Sequence, residues 1–348
     1  MRLIESGRLV VPVDADVAIA FAKKNLVSVH SRLRRLLAIF GVVRIGGNVR
    51  DRVDTSPFFF IDDLRERERV TEIVSDLIRD REEWLVLESH RSTRRDLTTV
   101  FFFSDGALQN VVRIRRITEG EISLSAEAEL LRRTREQLSL PLKTAVPRVG
   151  GDSQTRLHEI LILSSVPGQP LGISMQRSIR QLRAHRRHLV DAGRWLGRFH
   201  RETSVSSGDE VVVHGDFWPR TILFGDSAEV TGVVDWEHGS LRGERWRDLF
   251  TLPLLFAIDR PGWRSADRLE RFEEAFIRDS EAASILRSYF GAYGTESGVT
   301  VESLEPMFER FLASSWERGK EESGWSSRMP WPEMRDLFAK ADHSVFSG

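Results

Sequence analysis

Two aspartates stand where carboxylates can do chemistry, within VVVHGDFWPRTILFGDSAEVTGVVDWE, residues 211–237. Three valines run into His214, Gly215 and Asp216, and a second apolar run, Val230 to Val234, delivers Asp235. Between them the loop FWPRT gives way to Ile222, Leu223 and Phe224. Such β-branched and apolar runs, bounded by polar turns, read as short buried strands. A carboxylate on the loop that leaves a strand can meet a hydroxyl and take its proton, or hold a hard cation. Asp216 and Asp235 are therefore the candidate reactive groups.

The elements that must position them follow from periodicity. Residues 62–84 place Leu64, Val70, Ile73, Val74, Leu77 and Ile78 at helical spacing among charges, a surface helix. The period then shortens in EWLVLES, LTTVFFFSD and QNVVRIRR, which predicts a three-stranded antiparallel meander. SLSAEAELLRRTREQL reads as a helix with Ser125 as N-cap, and the stretch from Val146 to Leu171 as two further strands. Beyond residue 170 the pattern is helical. Leu189, Ala192, Leu196 and Phe199 share one face; Leu269, Phe272 and Phe276 another; Leu304, Phe308, Phe311 and Leu312 a third. The expected order is a five-strand lobe with one helix, then a helical lobe carrying one hairpin.

Composition bounds the rest. A chain of 348 residues with 41% apolar and 30% charged residues has the make-up of an ordinary globular protein with a sizeable core. A formal charge of −1 supplies no global field for nucleic acid, which is not an expected partner. The absence of cysteine excludes disulfides, thiolate metal sites and a cysteine nucleophile. No apolar run approaches a membrane span, and the acidic, short-run N-terminus does not read as a signal peptide; a cytoplasmic location is expected. Residues 1–53 carry ten Lys/Arg against four Asp/Glu. A basic amphipathic helix there would either touch an anionic membrane surface weakly or pack on the main body with its arginines in water. His185 and His188 share a helix face that reads as solvated and arginine-rich.

HGDFWPRT, GVVDWEHG and RWRDLF, preceded by VPGQPL and AGRWLGRFH, stand in the order found in the aminoglycoside phosphotransferase and choline kinase-like family, which this chain resembles over about residues 80–300. The family pattern is His-Gly-Asp-x-x-x-x-Asn, an apolar strand ending in Ile-Asp-Trp/Phe-Glu, and an Asp-Leu-Ala-like helix start. The resemblance implies an α+β, bilobal protein-kinase-like fold, with a small antiparallel-sheet N-lobe over 79–166 and a mainly helical C-lobe over 167–348; ahead of it, the residue pattern reads as an extra, mainly helical N-terminal extension over 1–78. It implies a phosphotransferase moving the γ-phosphate of ATP or GTP to a hydroxyl of a small molecule, with Mg²⁺. Asp216 would be the catalytic base and Asp235, facing the same cleft, the Mg²⁺ ligand. Asp248 would brace the loop, and His214 would hydrogen-bond the loop instead of moving protons.

The departures are as informative. The third-strand lysine of the family is Arg113 here, a planar fork in place of a compact ammonium. Glu127 matches the helix glutamate that orients it, with Glu129 one register on. The nucleotide loop falls in ESHRSTRRDLT, which lacks glycine, so Ser92, Thr93 or an arginine would have to meet phosphate. Residues 160–166 would read the adenine through backbone groups. Thr221 stands where the family has its Asn metal ligand, and its shorter hydroxyl would ligate Mg²⁺ directly, through water, or not at all. These departures keep a second function open, a weak or inactive kinase-like protein that binds nucleotide or a partner. Walls for a cationic acceptor would come from Trp236, Glu237, Glu244, Trp316, Trp325 and Trp331, each of which also reads as a packing residue.

Overall fold

The computed structural model describes residues 7–10, 73, 83–91, 94–105, 107–117, 123–171, 182–205, 210–258, 265–321, 329–341 and 344–346. Apart from residues 7–10 and 73, the stretch read as an N-terminal helical extension, with its basic segment, lies outside the described residues. So do Ser92, Thr93 and Trp325. The chain divides into two units, Met1–Glu129 with Arg148–Ser165 and Leu130–Pro147 with Val166–Gly348.

The first unit is built on an antiparallel sheet. β1 (Gly7–Val10), β2 (Glu83–Arg91), β3 (Arg94–Ser104), β4 (Ala107–Arg116), β5 (Val149–Gln154) and β6 (His158–Ser164) lie in the order β1-β2-β3-β4-β6-β5. Along β3, Thr98, Val100 and Phe102 are buried at every second position, the period that a pleated strand requires. Five strands were expected; the sixth is β1, which pairs with β2 from Gly7↔Ser89 to Val10↔Val86. Helix α1 (Leu124–Gln137) is capped by Ser123 and not by Ser125. The Ser123 hydroxyl accepts from the N–H groups of Ser125 and Ala126, and Glu159 of β6 accepts from the Leu124 N–H at 2.7 Å.

The second unit is mainly helical: α2 (Leu140–Ala145), α3 (Leu182–Glu202), α4 (Trp246–Ile258), α5 (Ser265–Phe276), α6 (Glu281–Ser297), α7 (Leu304–Glu321) and α8 (Trp331–Ala339). The periodic faces read from the sequence form its core: Leu189, Ala192, Leu196 and Phe199 of α3, Phe272 and Phe276 of α5, and Leu304, Phe308, Phe311 and Leu312 of α7 are fully buried. Phe250 of α4 packs edge-on to Phe308, with ring centres 5.0 Å apart, and Phe276 stacks on Phe308 at 4.8 Å. α3 and α6 approach closely because Gly193 and Gly197 present no side chain. A Cβ at either would stand 2.6 Å from a carbonyl oxygen of α6, that of Tyr289 or Tyr293.

Two small ladders complete this unit where one hairpin was expected. β9 (Ile222–Phe224) pairs with β10 (Val230–Val233) and with β7 (Gln169–Pro170), but β8 (Glu210–Val213) pairs with β11 (Ser240–Glu244), beyond Asp235. Three buried valines identify a strand; they do not identify its partner.

Candidate active site

β8 delivers Asp216 through a loop whose backbone is gripped from behind. Asp248, on the first turn of α4 and fully buried, accepts from the His214 N–H at 2.6 Å and from the Gly215 N–H at 2.8 Å. Gly215 has φ +80°, and a Cβ there would meet the His238 carbonyl oxygen at 2.1 Å, so the loop lies directly against the backbone beyond Asp235. The His214 ring makes a second stitch. Its Nε2 lies 2.9 Å from the Val234 carbonyl oxygen, which can only accept, so the ring hydrogen sits on Nε2. Nδ1 is then the acceptor for the Asp216 N–H, at 3.2 Å. Burial holds the His214 pKa below its usual value, and the nearby Asp248 carboxylate opposes this without offsetting it. His214 is thus a neutral clamp with both nitrogens engaged by backbone, joining Asp216 to the residue before Asp235.

Asp235 follows β10 with φ +70° and ψ +60°, left-handed backbone that aspartate tolerates better than most residues. Its neighbour Trp236 anchors the corner from the core, donating its indole N–H to the Val233 carbonyl at 2.8 Å. Asp235 is exposed and Asp216 half-buried, so the loop's scaffold is inside while both carboxylates reach the surface. Strain at such a corner is the kind that persists at working sites.

Thr221 behaves differently from a side chain turned outward. It is buried, and its hydroxyl donates to the Asp216 carbonyl at 2.8 Å with the Trp218 carbonyl at 3.2 Å. The Trp218 N–H donates back to it at 3.3 Å, and the Thr221 N–H donates to the Trp218 carbonyl at 3.1 Å. Trp218-Pro219-Arg220-Thr221 is therefore a hydrogen-bonded turn with proline at its second position. The Arg220 guanidinium lies over the Trp218 ring, 4.9 Å from its centre.

Behind Asp248 lies a network that sequence reasoning missed. His200, at the end of α3 and fully buried, puts Nδ1 3.0 Å from the Tyr293 hydroxyl and Nε2 3.8 Å from Asp248 Oδ2. The second distance is an electrostatic approach, longer than a hydrogen bond. Burial pushes His200 down, against the pull of Asp248, so the imidazole is neutral while its Nδ1 shares a hydrogen bond with the Tyr293 hydroxyl. Burial alone would raise Asp248; the His200 ring, His214 and its N–H outweigh it and leave the carboxyl below its ordinary value. Burial raises Tyr293 to about 12. These residues lie 45 or more positions from one another in part, and the only local signal was the Gly193/Gly197 spacing that seats α3 on α6.

In the first unit the structure brings Arg113 and Glu127 together. One guanidinium nitrogen donates to both carboxylate oxygens, at 2.8 and 2.6 Å, with both residues buried. Glu129, the alternative register, is exposed. Most of the stretch expected to meet adenine is β6, whose residues from Ile160 to Leu163 pair on both sides with β4 and β5. The Ser165 N–H donates to the Gln109 carbonyl at 2.9 Å. Of the acceptor-wall candidates, Trp236 and Trp331 are core residues and Glu237 is buried. Glu244 is exposed, and Trp316 lies under Arg335 at 4.9 Å.

Residues 202–286 run from the end of α3 through the loops of Asp216 and Asp235 into α6, and they match the model of the phosphotransferase enzyme family. The phosphotransferase resemblance read from HGD, DWE and RDL falls inside the matched residues. Solved structures with similarity include an aminoglycoside-3′-phosphotransferase of type VIII, 15% identical, covering 72% of this chain and 91% of its own, with a TM-score of 0.36. An aminoglycoside phosphotransferase from Streptomyces rimosus is also 15% identical, covering 77% and 98%, with a TM-score of 0.36. No curated protein sequence matches the chain. Among the described residues no helix is long and apolar enough to cross a membrane.

Proposed function

We propose that this chain transfers the γ-phosphate of ATP or GTP to a hydroxyl of a small molecule, with Asp216 as base and Asp235 as the magnesium ligand. The observation that carries the reading is the stitching of the two carboxylate-bearing loops by His214 and Gly215, inside the segment that matches a phosphotransferase family. In the step, the acceptor oxygen bonds to the γ-phosphorus while the bond from that phosphorus to the β–γ bridging oxygen breaks. The electron pair leaves with the nucleoside diphosphate, and Asp216 takes the hydroxyl proton. A half-buried carboxylate on a braced loop suits that role, because it is reachable and pre-positioned.

The residues present fit magnesium in one particular way. Among the described residues no three acids or histidines gather into a preformed metal site. Mg²⁺ commonly takes one or two carboxylates and completes its octahedron with phosphate oxygens and water. Asp235, exposed on a fixed corner, fits that one-carboxylate role. Bound there, the ion would neutralise charge on the phosphates during transfer. Arg113, oriented by Glu127, is the group we assign to the α- and β-phosphates. A cytoplasmic location, where ATP is plentiful, belongs to the same reading.

One observation favours a second reading, a kinase-like protein that binds nucleotide with little or no transfer: the Thr221 hydroxyl is turned onto the loop backbone. Substitution separates the two. Asp216→Ala should lower transfer to a panel of alcohols by roughly 10²–10⁴-fold while leaving nucleotide affinity within about twofold of wild type. Transfer that survives this change would overturn the assignment of the base. Wild-type nucleotide binding without transfer to any alcohol would favour the second reading.

A further inference from the structure

The loop between Asp216 and Ile222 carries a cation that none of the roles above uses. Pro219 sets the turn, Thr221 closes it through both its N–H and its hydroxyl, and Arg220 occupies the corner. An arginine at a turn corner usually samples many rotamers; this one is half-buried and lies over the Trp218 ring. Its charge is thereby held four residues from Asp216, within one hydrogen-bonded turn.

Charge balance gives that placement a purpose. A nucleoside triphosphate brings about four negative charges, and Asp216 and Asp235 add two more. One Mg²⁺ on Asp235 leaves the transferring phosphoryl group facing an excess of negative charge. By the resemblance, a second metal ion would take a ligand from position 221, where the hydroxyl instead donates to the Asp216 carbonyl.

We infer that Arg220 is a catalytic residue that contacts the γ-phosphate in the place of a second metal ion, so that the site takes one divalent cation per nucleotide. This rests on the phosphotransferase reading. A planar guanidinium offers several donors to phosphate oxygens, and one already positioned needs little reorganisation when charge develops. Trp218 is then a positioning residue, the plate that keeps the guanidinium in register.

The test uses the full-length chain with Mn²⁺ as the divalent probe and a non-hydrolysable ATP analogue. Bound Mn²⁺ is counted by electron paramagnetic resonance, and nucleotide affinities are measured by calorimetry. Wild type should bind one Mn²⁺ per nucleotide. Arg220→Gln should weaken the ATP analogue by about tenfold or more, the effect of losing a charge-assisted hydrogen bond, and leave ADP within about twofold. Arg220→Lys should recover part of the loss, and unchanged thermal midpoints would show the loop intact. Two Mn²⁺ per nucleotide in wild type, or equal weakening of ATP analogue and ADP in Arg220→Gln, would overturn the inference while leaving the phosphotransferase reading standing. Failure of wild type to bind any nucleotide would overturn both.

Discussion

Glu127 and Asp248 are both buried carboxylates on the first turn of a helix, α1 in one case and α4 in the other, yet they are held in opposite ways. Glu127 meets a guanidinium through both oxygens. Asp248 meets two main-chain N–H groups and the neutral ring of His200. The first arrangement fixes a cation and offsets its charge. The second fixes a stretch of backbone and asks for no cation at all.

The difference predicts different costs of removal. Glu127→Ala leaves Arg113 charged and buried without its principal partner, and should destabilise the fold by about 3–5 kcal/mol. The double change Arg113→Met with Glu127→Leu should restore most of that stability, since an apolar pair of similar volume replaces the ion pair. Denaturant titration checks both. A double variant no more stable than Glu127→Ala would mean that the site is not an ion pair in the energetic sense. Asp248→Ala should cost less, roughly 1–3 kcal/mol, because water can enter the vacated space and meet the exposed N–H groups. No single partner substitution should rescue it, because its partners are backbone.

The smallest effect is the dependence on pH. His200 and His214 are depressed by burial, so the native state stays neutral where the unfolded chain takes up protons, below about pH 6.5. Stability should therefore be full above that value and fall as pH drops toward 5. Asp248, also depressed, adds its loss only below about pH 4, as the unfolded carboxylate protonates first. At the alkaline end Tyr293, raised to about 12, makes stability decline as pH climbs past about 10. Thermal midpoints measured across this range check all three. A midpoint that stays flat between pH 7 and 5 would contradict two buried neutral imidazoles.

How much of this was legible in the chain depended on distance along it. The valines of β8 and β10 with Asp216 and Asp235 at their ends and the apolar faces of α3, α5 and α7 follow from spacing within a few turns, whereas the pairing of Arg113 with Glu127 was expected only from the family resemblance. The loop-bonding role of His214 was expected, and the geometry gives it a reason in the Val234 and Asp216 backbone groups. Ser123 was passed over as cap because Ser125 stands closer to the periodic run, while the helix starts two residues earlier than a Ser125 cap requires. β1 and the β8–β11 ladder escaped because alternation marks a strand without naming its neighbour. His200 and Tyr293 are 93 residues apart, and no local pattern links them. The turning of the Thr221 hydroxyl onto the Asp216 carbonyl is a matter of rotamer, which residue type does not determine.

The central claim, that the braced loops hold a metal–nucleotide site, is tested most directly by calorimetric titration of the full-length chain with ATP, with and without Mg²⁺, alongside Asp235→Ala. The account predicts binding that requires Mg²⁺ and that weakens by about tenfold or more when the Asp235 carboxylate is removed. Binding that is indifferent to both, or no binding under either condition, would contradict it.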